Sequence, residues 1–204
     1  KIDLPSQSSG FVPTAQWKER RFHEKWVGGD TMNLSIGQGF LEVTPMQVAN
    51  MMAMVVNEGT IYQPHLLKEV LDPVSNEVIH TVNPEVLFSS QIENEVWKTL
   101  QEALHYTATD GSASSVLMKN KVVQIAGKTG TAEVANIKDS WHSWFVAYGP
   151  YDAPKEEAIV VCVMVEATNE WEWWAPYAST IIFQGIFGNQ SYDEAIDALG
   201  FRYL

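Results

Sequence analysis

The chain has 204 residues, 46% of them hydrophobic, enough apolar material for one globular domain or the larger part of one. Its formal net charge of −12 argues against nucleic acid or an anionic membrane surface as a direct partner. The single cysteine, Cys162, excludes an intramolecular disulfide; it lies in the apolar run 158–165, which reads as core and is far too short to span a bilayer.

Residues 1–38 are rich in Gly, Pro and Ser and read as loops and short turns, with Lys18, Arg20, Arg21, Glu24 and Lys25 as a solvated charged face. Thr44-Pro45 then opens a helix: threonine caps well, and proline suits the first helical position. That helix carries Met46, Val48, Ala49, Met51, Met52, Met54, Val55 and Val56, apolar on nearly every face, so it is expected to be buried. Gly59 is its expected C-terminal cap. Residues 66–71 and 77–82 read as a strand pair joined by a turn at 72–76. Ser89-Ser90 is expected to cap a long helix whose apolar positions Ile92, Val96, Trp97, Leu100 and Leu104 have helical spacing. Residues 110–113 break it and lead to a short helix.

The apolar run 122–127 reads as a buried strand, and Lys128-Thr129-Gly130-Thr131-Ala132-Glu133 follows it. A lysine, a hydroxyl and a glycine at a strand end suit an anionic ligand. Lysine supplies a point positive charge, threonine a donor, and glycine lets another backbone approach closely. Side chains alternate along a strand, so Lys128 and Gly130 share a face. Gly127-Lys128-Thr129 also looks like the end of a phosphate loop. Such a loop needs a second glycine five residues earlier, where this chain has Val122. Residues 141–148 and 157–166 read as two further strands, giving an antiparallel meander. Helices at 176–187 and 191–199 close the chain. The expected fold class is α+β (mixed α/β), a sheet with helices against it.

Several blocks, in order, resemble the penicillin-binding proteins, the serine D,D-transpeptidases that cross-link peptidoglycan. Lys128-Thr129-Gly130 matches the third of their three active-site motifs. Gly29-Asp30-Thr31-Met32-Asn33-Leu34-Ser35-Ile36-Gly37-Gln38-Gly39 and Val43-Thr44-Pro45-Met46-Gln47-Val48-Ala49 look like the block that class B enzymes carry between motifs two and three. The opening Lys1-Ile2-Asp3-Leu4-Pro5 and Gly10-Phe11-Val12-Pro13-Thr14 resembles the segment before it. The wording is most like the elongation type, penicillin-binding protein 2. The resemblance implies a serine penicillin-recognising fold, a five-stranded sheet flanked by helices.

It also implies residue roles. Lys128 would offer positive potential to a substrate carboxylate and assist proton movement. Thr129 and Thr131 would donate hydroxyl hydrogen bonds, with Thr131 favoured. The Thr131 N–H would complete an oxyanion hole, and Gly130 would keep the strand face clear. The family's nucleophile lies in a Ser-x-x-Lys motif and its helper in a Ser-x-Asn motif, and neither pattern occurs in this chain. Nor does the chain begin with methionine. The expectation is therefore that residues 1–204 are the C-terminal portion of a single transpeptidase domain, with the nucleophile in the missing N-terminal part. On its own the chain is expected not to be acylated by penicillin. By resemblance the partners are a D-Ala-D-Ala stem peptide, β-lactams and a membrane glycan polymerase, with no cofactor. The domain would sit outside the cytoplasmic membrane on a single-pass anchor upstream. Two other readings share the motif: a non-catalytic penicillin-binding sensor domain and a β-lactamase. The residue 36–39 and 44–47 blocks speak against the β-lactamase.

Residues 168–175 depart from the family. Trp171, Trp173 and Trp174 within four residues read either as a hydrophobic cleft wall or partner surface, or as local packing onto Trp141, Trp144 or Tyr148. Glu170 and Glu172 add negative charge there. The five histidines have no metal-ligand spacing, and His142, the one near the motif, reads as an ordinary strand histidine.

Overall fold

A three-stranded antiparallel meander between two layers of helices organises the chain, as seen in a computed structural model that describes residues 2–134, 138–168 and 172–202. The strands are β5 (Ala126–Glu133), β6 (Trp141–Gly149) and β7 (Ile159–Thr168), in the order β5-β6-β7. The central strand β6 shows why both faces are covered. Val146 and Tyr148 point into one cluster, with Met52, Val55 and Val56 of α3 (Pro45–Val56) and Trp97 and Leu104 of α4 (Asn94–Thr109). Phe145 and Ala147, the alternate residues, point into a second cluster. That cluster holds Leu117 of α5 (Ser114–Leu117) and Ala175 and Phe183 of α6 (Trp174–Gly188). The mixed α/β class with a meander is thus as the periodicities predict. Among the described residues the sheet has three strands where the resemblance implied five.

Residues 1–38 form more helix than their composition suggests. Two helices, α1 (Ala15–Phe22) and α2 (Gly28–Ser35), stand where loops were expected. Thr14 Oγ1 caps α1 by accepting from the Trp17 N–H at 3.2 Å. The Asp30 carboxylate in α2 reaches back to the Val27 N–H at 2.8 Å. Trp17 also packs its ring against Phe11, Phe22 and Phe40, with centroids 4.7–5.5 Å apart. The charges there are not uniformly solvated either. Lys18 is only 7% exposed, and its ammonium donates to both Asp30 oxygens at 2.9 and 2.8 Å. The ion pair and its hydrogen bonds hold Asp30 below the usual carboxylate range and Lys18 above the usual lysine value.

Helix α3 begins with a reciprocal capping box. Thr44 Oγ1 accepts from the Gln47 N–H, and Gln47 Oε1 accepts from the Thr44 N–H. Only Met52, Val55 and Val56 are buried in it; Met46 and Met51 are 45% and 55% exposed, so the helix is half covered rather than sunk in the core. At its end Glu58 already takes a positive φ, 52°, and Gly59 follows with one too; the Gly59 N–H closes the turn on the Met54 carbonyl. Gly59 is needed for another reason. Its φ is +99°, and a Cβ there would lie 2.8 Å from Ser90 Cβ and 3.0 Å from the Trp97 ring.

Strands β2 (Glu69–Leu71) and β3 (Val78–Thr81) form the expected hairpin, turned by Asp72, whose Oδ1 accepts from the Val74 and Ser75 N–H groups. Strand β1 (Thr60–Tyr62) pairs with β4 (Val86–Ser89). Ser89 therefore ends a strand and caps nothing. Ser90 Oγ takes the Ile92 N–H, and the residue before α4 is Glu93. Of the five apolar positions read in α4, Trp97 and Leu104 are buried, while Ile92, Val96 and Leu100 are 40–54% exposed.

The motif strand is displaced from its expected place. Residues 122–125 do not extend the sheet, because Asn120 Oδ1 accepts from the Val122 and Val123 N–H groups at 2.9 and 3.1 Å and removes both donors from any ladder. The strand instead begins at Ala126 and runs through the whole Lys-Thr-Gly segment. The last two helices, α6 and α7 (Tyr192–Leu199), lie as read, α7 opening on a Ser191/Glu194 capping box.

Candidate active site

Strand β5 sits at the edge of the meander, bonded among the described residues to β6 alone. Lys128 stands opposite Val146, Thr129 opposite Phe145, Gly130 opposite Trp144, and Thr131 opposite Ser143. Alternation puts Lys128 and Gly130 on the face that looks toward α3 and α4.

Side chains, not a strand, reach the outer edge of β5. Gln38 Nε2 donates to the Thr131 carbonyl at 2.8 Å, and Lys128 Nζ donates to the Thr129 carbonyl at 2.9 Å. In an antiparallel strand the N–H and C=O of one residue point the same way. The main-chain groups of Thr129 and Thr131 therefore face outward, and those of Lys128 and Gly130 face β6. The exposed edge presents two N–H groups, two carbonyls and one ammonium within a few residues. Lys128 Nζ also lies 3.4 Å from Thr129 Oγ1, and Ser112 Oγ, from the α4–α5 turn, lies 3.3 Å from the same hydroxyl.

A cleft of about 890 Å³ opens beside this edge. Its walls are the segment 36–43, α3 and α4, and the Lys128–Gly130 face of the sheet, with His142, Trp144 and Met164. Met51, Met52, Trp97 and Leu100 make the far side apolar. Cys162, beside Val146 on the same sheet face, is half-buried, and burial pushes its thiol up to about 11, which disfavours the thiolate near neutral pH.

The opposite sheet face carries a rigid anchor. Ser143, fully buried, donates to the Glu172 carbonyl at 2.5 Å and accepts from the Ala175 N–H at 3.1 Å. It ties the start of α6 to the strand position facing Thr131. Of the tryptophan-rich segment, Trp173 packs with Val116, Leu199 and Phe201, and Trp174, 49% exposed, begins α6. Both belong to the α6 side of the sheet, whereas the cleft opens on the α3–α4 side; Trp171 lies outside the described residues.

Lys128, Thr129, Gly130 and Thr131 are thus brought together along one edge. Two neighbours were not read as site residues. Gln38 was visible only as wording in the Gly37-Gln38-Gly39 block, and Ser112 only as part of a helix break. Among the described residues no three His, Cys, Asp or Glu side chains group as metal ligands, and no helix is long and apolar enough to cross a membrane.

The family model described as the penicillin binding protein transpeptidase domain matches residues 1–187. The peptidoglycan D,D-transpeptidase MrdA of Haemophilus influenzae is 30% identical over 184 residues, 81% of this chain and 27% of that protein. Penicillin-binding protein 2B of Streptococcus pneumoniae superposes with a TM-score of 0.73 at 26% identity, covering 90% of this chain and 29% of that one. A chain solved in a peptidoglycan synthase complex for polymerization and crosslinking matches with a TM-score of 0.73 at 27% identity, covering 93% and 30%. The chain therefore spans between a quarter and a third of the length of these relatives. With the motif on an open strand edge, and the family model matching all but the last turns, the chain belongs to the penicillin-binding protein transpeptidase domain family.

Proposed function

We propose that this chain is the C-terminal portion of a peptidoglycan D,D-transpeptidase domain and supplies the Lys-Thr-Gly wall of its cleft. One observation carries the reading: the outer edge of β5, with Thr129 and Thr131 facing outward and the Lys128 ammonium beside them, opens on a cleft. An extended peptide can add to such an edge as a further strand, and a D-Ala-D-Ala terminus is one. Its carboxylate would meet Lys128 and the threonine hydroxyls. The Thr131 N–H would be one oxyanion donor, and Gly130 leaves room on the strand face for the reacting carbonyl. The nucleophile is an upstream serine. Its oxygen bonds to the penultimate D-Ala carbonyl carbon, the amide bond to the terminal D-Ala breaks, and the leaving amine takes the proton. An amine of a second stem peptide then displaces the serine.

The apolar side of the cleft supports the same division of the domain. Met51 and Leu100 line it while 55% and 40% exposed, a surface suited to packing against the portion of the domain that bears the nucleophile. A membrane glycan polymerase as partner, β-lactams as ligands, and a location outside the cytoplasmic membrane on an upstream anchor follow from the family.

Intact mass after incubation with benzylpenicillin tests the reading. This chain alone should remain unshifted, and the protein extended upstream through its Ser-x-x-Lys region should gain one adduct. Lys128→Ala in the extended protein should slow acylation by at least about 100-fold, the scale of one lost transition-state contact. An adduct on the short chain would place the nucleophile within residues 1–204 and overturn the assignment.

A further inference from the structure

The turn between α4 and α5 is built to hold one hydroxyl against the motif. Helix α4 ends with the Asp110 and Gly111 N–H groups both on the Tyr106 carbonyl, at 2.9 and 2.7 Å. The Ala113 N–H returns to the Thr107 carbonyl at 3.1 Å, and Ala113 is fully buried. At Gly111 a Cβ would lie 2.8 Å from Thr107 Cα, so the turn lies too tightly on the helix for any larger residue. Ser112, between these fixed points, is exposed and has little freedom of backbone position. Its Oγ is 3.3 Å from Thr129 Oγ1.

Donor counting fixes one end of this network. Lys128 Nζ can only donate, so Thr129 Oγ1, 3.4 Å away, accepts from it. That leaves Thr129 Oγ1 one lone pair and its own proton, and Ser112 Oγ is the hydroxyl in reach of either, as donor or as acceptor. The chain runs from the lysine ammonium through the Thr129 hydroxyl to Ser112, and it fixes the rotamer of the one and the reach of the other.

We propose that Ser112 is a positioning residue for the transpeptidase reaction, acting through the Thr129 hydroxyl to set where the Lys128 ammonium sits at the edge of β5. This rests on the reading of β5 as the Lys-Thr-Gly wall. Substrate contacts belong to Lys128 and the threonines, and Ser112 touches Thr129 alone of these. Without the Ser112 hydroxyl, Thr129 Oγ1 loses its second partner and the ammonium loses a fixed neighbour, in a step that depends on the charge of that ammonium.

The experiment uses the protein extended upstream through its nucleophile, in four forms: unsubstituted, Ser112→Ala, Ser112→Thr and Lys128→Ala. Each is followed by the rate of acylation with a fluorescent penicillin from pH 6 to 10, alongside its thermal midpoint. Ser112→Ala is expected to slow acylation about five-fold, the scale of one neutral hydrogen bond, and to displace the alkaline limb of the pH profile with the midpoint unchanged. Ser112→Thr, which keeps the hydroxyl, should restore both rate and profile. An Ala form with the unsubstituted rate and profile overturns the role of Ser112 while leaving the wall assignment intact. A loss shared equally by Ala and Thr, or one that follows the midpoint, also overturns it. An unsubstituted protein that takes no label, or a Lys128→Ala form as fast as the parent, overturns the wall assignment and this proposal with it.

Discussion

Ser143 and Ser179 are both fully buried serines on packed elements, β6 and α6, yet replacing them with alanine should differ sharply in cost. Ser143 makes two hydrogen bonds, to the Glu172 carbonyl and from the Ala175 N–H. The second satisfies a donor in the first turn of α6, where no intrahelical partner exists. A net contribution of about 1 kcal/mol per bond gives roughly 2 kcal/mol, rising to about 3 if the Ala175 N–H is left buried without a partner. For a domain of this size that lowers the thermal midpoint by about 4–12 °C. Ser179 Oγ has no hydrogen-bond partner among the described residues, so Ser179→Ala should change stability by less than about 0.5 kcal/mol in either direction. Circular dichroism melts, with urea titrations to separate a stability change from a change of slope, read both variants on the same protein. A Ser143→Ala variant within about 0.5 kcal/mol of the parent, or a Ser179→Ala variant as damaged as Ser143→Ala, would refute the reasoning.

Gly127→Ala should destabilise by about 1–3 kcal/mol, since the new Cβ would meet Ala147 Cβ at 2.6 Å and the Val146 carbonyl at 2.7 Å; urea unfolding checks it, and a neutral result would show that β5 and β6 separate easily. The Lys18–Asp30 pair predicts a pH dependence. Asp30 is held below its unfolded value, so its contribution is present above the ordinary carboxylate range and lost as pH falls through the folded pKa. Lys18 is held above its unfolded value, so its contribution is full below the ordinary lysine range and lost as pH rises through the folded pKa. Thermal midpoints of the parent and Asp30→Asn should therefore differ most between about pH 5 and 9 and converge in acid, where a constant gap would count against the pair.

How much the sequence disclosed depended on whether a residue's role was local. Thr44-Pro45 announced its helix because capping is settled within four residues, and the β6 and β7 runs announced themselves because both faces of each strand are covered. The start of β5 was misplaced by four residues because one side chain, Asn120, takes two donors out of the ladder, and periodicity cannot weigh that competition. The helices at residues 15–22 and 28–35 went unread for a similar reason. Their order comes from contacts such as Lys18 to Asp30 and Trp17 to Phe40, which bring together residues twelve or more positions apart. In the site, the Lys128–Thr131 segment was legible as a motif. Gln38 and Ser112 were not, because they meet β5 across 93 and 17 residues of chain and carry no pattern of their own.

The open edge of β5 also bears on how the chain meets its neighbours. An unpaired strand edge invites a strand from any neighbouring chain, and this one carries two outward N–H groups with their carbonyls. Here the occupants of that edge are a charged lysine and a glutamine from 93 residues upstream, both attached to carbonyls that a stray strand would need. With both outward carbonyls already bonded to side chains, a second copy of the chain finds this edge capped and must displace two hydrogen bonds before it can pair.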